Sequence, residues 1–312
     1  MFSCIIMTNQ IPVFRPTSQE KFLEKALKLL SMIQNVQPAI AVIKTMIDMF
    51  NLQFMQNAFL AGMMLSVVLA VVSFFVVLRR LSFIGVGVAH SAFGGVALGA
   101  LLGISPTLTA IGFAVVVSNA IGYISKRGHL GTDTAIGIFF PLTMAMGVIF
   151  IGMSNEYNVD LFGYLFGNIL AITRQDLIIT AVLGGLVLLS TVVFFKELLF
   201  VAYDREVAFV SGMPVAFLDH FFLTILALSV VISIKIIGII LVSALLVIPG
   251  AAASQITRRY NSMIVFSILI ALISTGGGLI ISYYADLPSG ATIVTLASMI
   301  FFGTFAIGQT RN

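Results

Sequence analysis

Long apolar runs, broken by short polar clusters, organise most of this chain. A bilayer core about 30 Å thick takes roughly 20 apolar residues of helix. Nine runs meet that length: Ala58–Leu78, Phe83–Gly103, Thr107–Ile124, Ala135–Ser154, Leu177–Phe195, Phe217–Ile234, Ile236–Ile256, Met263–Tyr284 and Ala291–Ile307. A further run, Leu161–Ile172, is too short to cross. Asp160 and Arg174 bound it, and Gly163 and Gly167 lie inside it. It reads as a re-entrant or interfacial segment, which survives at membrane depth only where protein or water covers its backbone.

The start of the chain has a different rhythm. Phe22, Leu23, Ala26, Leu29, Leu30 and Ile33 recur at helical spacing. Lys21, Lys25 and Lys28, with Glu20 and Glu24, supply the charge opposite them. Residues 1–53 are therefore expected to be an amphipathic extension lying on the membrane surface. An additional weak span within Leu29–Phe50 is the competing reading. No charged region precedes Met1–Met7 and no small-residue cleavage site follows it, so a cleaved signal peptide is not expected.

Composition agrees with the spans. Of 312 residues, 60% are hydrophobic and 9% charged, with a mean hydropathy of +1.14. Soluble domains carry about 25% charged residues, so this chain cannot cover a globule in water. The fold class is an all-α polytopic membrane protein. A soluble enzyme is excluded, and so is a disulfide scaffold, because Cys4 is the single cysteine. The net charge of +4 is not read as a nucleic-acid footprint, since basic residues in membrane proteins mostly set orientation.

Those basic residues test the topology. With Arg79–Ser82 placed inside and sides alternated, Arg79, Arg80, Lys126, Arg127, Lys196, Arg205, Arg258, Arg259 and Arg311 fall inside. Only Arg174 and Lys235 fall outside beyond the first span. The bias requires that Leu161–Ile172 does not cross. It puts the C-terminus in the cytoplasm and the N-terminus outside.

Catalytic signatures are missing. The chain has no P-loop, no HExxH, no CxxC and no Gly-x-Ser-x-Gly. It is not expected to be an enzyme, and a channel or carrier role remains. The stretch Leu81–Gly103 is the densest in small residues. Gly94, Gly95, Gly99 and Gly103 suit close helix packing, as small residues do between membrane helices. His90 lies among them. An ionisable side chain inside a span points to a pathway or site, and imidazole is a common metal ligand. Its rival role is a hydrogen bond to a neighbouring backbone carbonyl.

On the outer side, Asp160 stands at the mouth of the short run and Asp286 between the last two spans. Both suit solvated ends. Together with His90 they also suit a pathway for a divalent cation of intermediate hardness, zinc or manganese rather than calcium. On the inner side, Ala202–Asp219 is the longest polar segment. It reads as a short helix opened by Asp204, Arg205 and Glu206, a break at Gly212 and Pro214, and the next span.

These stretches resemble the membrane permease subunit of bacterial ABC importers for zinc, manganese and iron. The similarity runs from about Phe54 to the end. It is carried by FMQNAFLAG, LRRLSFIGVGVAHSAFGGVALG, DLFGYLFGNIL, YDREVAFVSGMP with SALLVIPGAAA, and DLPSGATIV. The resemblance implies that 54–312 is a permease domain with a fold like the vitamin B12 and siderophore permeases. It also implies a homodimer in a bacterial inner membrane, two ATP-binding subunits below and an extracytoplasmic metal-binding protein above. ATP would bind the partner subunits, and the transported cation would be cargo rather than a resident cofactor. The coupling helix of the family maps onto Asp204–Gly212, including Arg205, Glu206 and Ala208.

One departure is specific. Many members read Gly-Asp-x-x-x-His where this chain has Gly85-Val86-Gly87-Val88-Ala89-His90. His90 carries over, but the aspartate one turn earlier does not, and Asp160 is the first candidate for a second ligand. Two rival readings stay open. One is a same-fold permease for an organic metal chelate, and the other is a cation carrier or channel working without ATP. The scarcity of acidic residues inside the spans argues against a self-sufficient proton-coupled carrier.

Overall fold

A computed structural model of the chain describes residues 52–154, 167 and 172–309. Every regular element among them is helical. In chain order these are α1 (Gln53–Leu78), α2 (Ile84–Leu102), α3 (Pro106–Arg127), α4 (Thr132–Met153), α5 (Arg174–Val193), α6 (Phe195–Tyr203), α7 (Arg205–Val210), α8 (Val215–Leu245), α9 (Ile248–Ile256), α10 (Tyr260–Ala285) and α11 (Ser289–Gln309). The amphipathic extension expected over 1–53 lies almost wholly outside the described residues, as do Asp160 and Arg311.

Local chemistry sets the helix ends. Gly103 takes a left-handed conformation (φ 65°, ψ 24°) after α2, and Pro106 opens α3, where its missing N–H costs nothing. Thr173 and Asp176 form a reciprocal capping box at the start of α5. Asp204 caps α7 by accepting from Val207 N at 2.9 Å.

Eight stretches are long and apolar enough to cross a membrane, and the longest, Val215–Ile256, has 42 residues. A straight helix of that length would be about 63 Å long, twice the hydrocarbon thickness. It doubles back instead. Gly238 is non-helical (φ 77°, ψ 164°). Phe222 on one limb lies near Phe75, with centroids 6.1 Å apart. Gly250 on the other limb donates to Ser73 Oγ at 3.0 Å. Both limbs thus meet the same level of α1, and the described residues cross nine times.

This corrects one expected boundary. Lys235 was the break between the runs Phe217–Ile234 and Ile236–Ile256, but the helix continues through it because its ammonium pairs with Asp176 at 2.6 Å. The reversal falls at Gly238, where a side chain would resist the backbone angles. A second break at Leu246–Val247 precedes α9.

The crossings alternate between a basic end, with Arg79, Lys126 and Arg205, and an opposite end, with Asp176, Lys235 and Asp286. Met153 closes α4 and Arg174 opens α5 at that opposite end, where Asn57 Nδ2 donates to Ile172 O at 3.1 Å. The short run Leu161–Ile172, read as non-crossing from the sequence, lies outside the described residues but for Gly167 and Ile172.

Helices α1, α2 and α8 form the centre, with most of their residues buried. By contrast, α11 buries only Ile293 and Ala297 among its described residues. Apolar burial cannot hold helices together in lipid, so small residues and polar contacts do it. A Cβ on Gly95 would stand 2.7 Å from Ala110 Cα, and one on Gly94 2.8 Å from Thr143 O. A Cβ on Gly99 would stand 2.8 Å from Pro106 Cα. Gly103, expected in the same packing row, has nothing within 4 Å of such an atom. Its glycine serves the left-handed helix end, not packing. Buried hydroxyls add Ser91 to Thr143 at 3.0 Å and Ser267 to Ala70 O at 3.0 Å.

Candidate functional site

At the basic end, four elements converge on one carboxylate. Asp219 occupies the second turn of α8, because that helix begins at Val215 rather than beyond the polar loop. Arg79, just past α1, places Nη1 3.1 Å from Asp219 Oδ1. Lys126 in the last turn of α3 and Arg205 at the start of α7 both reach Oδ2, at 2.7 and 2.8 Å. The side chains of Arg79 and Asp219 are 8% and 11% exposed, whereas that of Arg205 is 52% exposed.

Arg79 is the most constrained of the three cations. Its guanidinium sits 4.6 Å over the Phe222 ring and donates to Leu198 O at 3.4 Å. Burial pushes its pKa down, the Asp219 carboxylate opposes that shift, and Arg205 adds to it. Removal of Asp219 would leave this charge buried without its counter-ion. A cavity of about 360 Å³ adjoins the cluster, lined by Arg79, Lys126, Arg205 and Asp219 with Ser125 and Thr132.

Arg205 also belongs to α7, so this cluster borders the segment Asp204–Gly212. Ala208 is fully buried, and Met213 N closes the turn on Ala208 O at 3.1 Å. Gly212 adopts φ 80° in open space and ends the helix. The outer face carries Glu206, Val207, Phe209 at 73% exposure and Val210 at 85%. Ala208 therefore anchors α7, while its neighbours face outward.

His90, the seventh residue of α2, is half-buried, with Nδ1 2.9 Å from Val86 O. Its ring meets Phe140 edge to face, centroids 4.7 Å apart. A carbonyl only accepts, so Nδ1 carries the proton and the neutral ring keeps its lone pair on Nε2. Metal-binding histidines are commonly oriented in this way, by a carbonyl on the other nitrogen. The carbonyl bond and a ligand role, rivals from sequence, are therefore chemically compatible.

Asp286, read from the sequence as an outer-rim carboxylate, stands apart from this imidazole. That residue caps α10 with φ 50° at the opposite end. It lines a cavity of about 540 Å³ with Phe54, Met55 and Tyr283, whereas His90 lies nearer the basic end of α2. Asp160 is outside the described residues. Among those described, no three His, Cys, Asp or Glu side chains group closely enough to hold a metal.

Sequence reasoning missed Asp219 as a centre, and it read Arg79 and Lys126 only as markers of topology. The available signal was an aspartate five residues into an apolar helix, a costly position without partners. It also missed Asn119 and His220. His220 Nδ1 lies 2.8 Å from Asn119 Oδ1, and Asn119 Nδ2 reaches Thr224 Oγ1 at 3.2 Å.

Comparison with known proteins gives consistent results. The family described as "ABC 3 transport family" matches residues 51–308. The manganese transport system membrane protein MntC of Halalkalibacterium halodurans is 33% identical, covering 81% of this chain and 87% of that protein. The high-affinity zinc uptake system membrane protein ZnuB of Haemophilus influenzae is 32% identical, covering 81% of this chain and 96% of that protein. The solved structure of PsaBC from Streptococcus pneumoniae in complex with Fab aligns with a TM-score of 0.76 and 34% identity. It covers 84% of this chain and 95% of that chain.

Proposed function

The chain belongs to the ABC 3 transport family, and on that premise we propose that it is the membrane permease of an ATP-driven importer of a divalent metal. Manganese and zinc are the cargoes named for its relatives. Two permease copies would enclose the translocation path, with two ATP-binding subunits at the basic end and a metal-binding protein at the opposite end. Under the positive-inside rule the basic end faces the cytoplasm of a bacterial plasma membrane. The described end of the chain, Gln309, then lies on that side, and α1 starts outside.

The observation that carries this reading is α7. A six-residue helix anchored by buried Ala208, with Phe209 and Val210 outward, has little reason to exist in a chain that works alone. It offers a compact apolar knob, rimmed by Glu206, to a protein below. Partner hydrolysis of ATP at this face would supply work that the permease cannot generate itself.

His90 is the pathway residue supported by chemistry, with Nε2 available to a passing cation. A site with one imidazole holds metal weakly, which suits transit because a conducting site must also release. Asp160 and Asp286 belong to the outer entry in this reading. Residues 1–53 are an extension preceding the permease domain.

Co-purification of the ATP-binding subunits with the chain tests the assignment. The wild type retains them, whereas Phe209→Asp loses them at unchanged folded yield. Equal retention would remove α7 from the interface.

A further inference from the structure

Asp219 is not needed to make α8 a helix or to make it apolar, and its burial is costly without partners. It is instead the single carboxylate shared by three cations from different elements. Oδ1 holds Arg79 at the end of α1. Oδ2 is divided between Lys126 of α3 and Arg205 of α7.

The three contacts are unequal. Arg79 is buried, stacked on Phe222 and bonded to Leu198 O, so it cannot leave without stranding a buried charge away from its counter-ion. Arg205 is half exposed and comes from a short helix whose outer face is exposed among the described residues. Water can replace its contact at low cost. Lys126 shares the same oxygen, so it can hold Asp219 when Arg205 withdraws. The adjoining cavity of about 360 Å³ gives both cations room to move.

From this geometry we propose that Asp219 is the positioning residue through which movement of α7 is passed to the membrane helices, with Arg205–Asp219 as the contact that is made and released. The proposal rests on α7 being the face that meets the ATP-binding subunits. A push on α7 changes the pull of Arg205 on Asp219. Asp219 is fixed in α8, the central helix that leads to the reversal at Gly238, and it is tied to α1 through Arg79 and to α3 through Lys126. One carboxylate therefore links the docking helix to three crossings. The residue does not touch the metal.

The test is metal transported per ATP hydrolysed, measured in liposomes holding the complete transporter with its ATP-binding subunits. Asp219→Asn keeps size and removes the charge, and is expected to lower that ratio at least tenfold while ATP is still consumed. Asp219→Glu restores much of the ratio, which a purely steric role would not allow. Arg205→Gln changes a half-exposed side chain and is expected to lower the ratio in the same sense, even if Asp219→Asn folds poorly. A wild-type ratio in Arg205→Gln, or in folded Asp219→Asn, overturns the proposal. If the wild-type transporter moves no metal with ATP, the permease reading itself fails and this link falls with it. If it does move metal while the variants match it, only the link fails.

Discussion

Lys235 Nζ lies 2.6 Å from Asp176 Oδ1, joining the limb below the Gly238 reversal to the first turn of α5. Asp176 also accepts from Thr173 Oγ1 at 2.7 Å and Thr173 N at 3.1 Å. It therefore serves as helix cap and ion-pair partner together. Asp176→Ala removes both roles and is expected to cost about 1–2 kcal/mol, mostly from the cap. Lys235→Gln removes only a half-exposed pair, worth roughly 0–1 kcal/mol. Thermal unfolding in detergent checks the order: Asp176→Ala lowers Tm more. The reverse order would assign the main role to the ion pair.

Gly238 holds φ 77° and ψ 164°, a region almost closed to residues with a Cβ. Gly238→Ala is expected to cost about 1–3 kcal/mol and to lower folded yield. Gly167, also left-handed at φ 75°, approaches the same turn. A Cβ there would stand 2.5 Å from the Ile237 carbonyl carbon. Gly112→Ala is the control, with open space and no left-handed angle, and should extract normally. Equal yields for both variants would show that the reversal does not depend on Gly238.

Close approach of α2 and α3 rests on Gly95, where an added Cβ meets Ala110 Cα at 2.7 Å and Thr109 O at 2.9 Å. Neither contact is a flexible side-chain tip, so the helices themselves must part. Gly95→Ala is expected to destabilise by about 1–3 kcal/mol, the usual range for overpacking. Gly103→Ala should cost about 1 kcal/mol through its left-handed angle alone. Chemical unfolding of the two variants separates packing from capping.

His90→Ala is expected to reduce manganese or zinc transport about tenfold, since one lost ligand at a sparse site removes most of its affinity. Folded yield should hold, because the ring bonds within its own helix to Val86 O. Val86→Asp should act oppositely on affinity: at (i, i+4) spacing it supplies a carboxylate beside the imidazole. Half-saturation for transport should then fall to lower metal concentration. Unchanged transport in His90→Ala would assign the ring to packing against Phe140 and favour a bulkier chelate as cargo.

The crossings were legible because each needs a long apolar run, and lipid permits little else. The basic residues that recur in alternate loops do gather at one end of the helices, as Arg79, Lys126 and Arg205 show. Gly238 was not, because Lys235 is the more conspicuous interruption and only its distant partner Asp176 lets the helix continue through it. The Asp219 cluster was hidden for the same reason. Its partners Lys126 and Arg79 lie 93 and 140 residues away in sequence, and no local periodicity joins them. Gly103 looked like its neighbours by spacing, yet its backbone angle gives it a different task. The sequence puts Asp286 at the outer rim and His90 further in, and the two do lie toward opposite ends of the fold, while Asp160 lies outside the described residues.

In the proposed function, the permease passes a divalent metal across a membrane only when ATP-binding subunits drive it. Uptake of manganese and zinc into liposomes containing the chain tests it most directly, with and without those subunits and ATP. Accumulation is expected only in the complete system with ATP. Accumulation by the chain alone, independent of ATP, would contradict it.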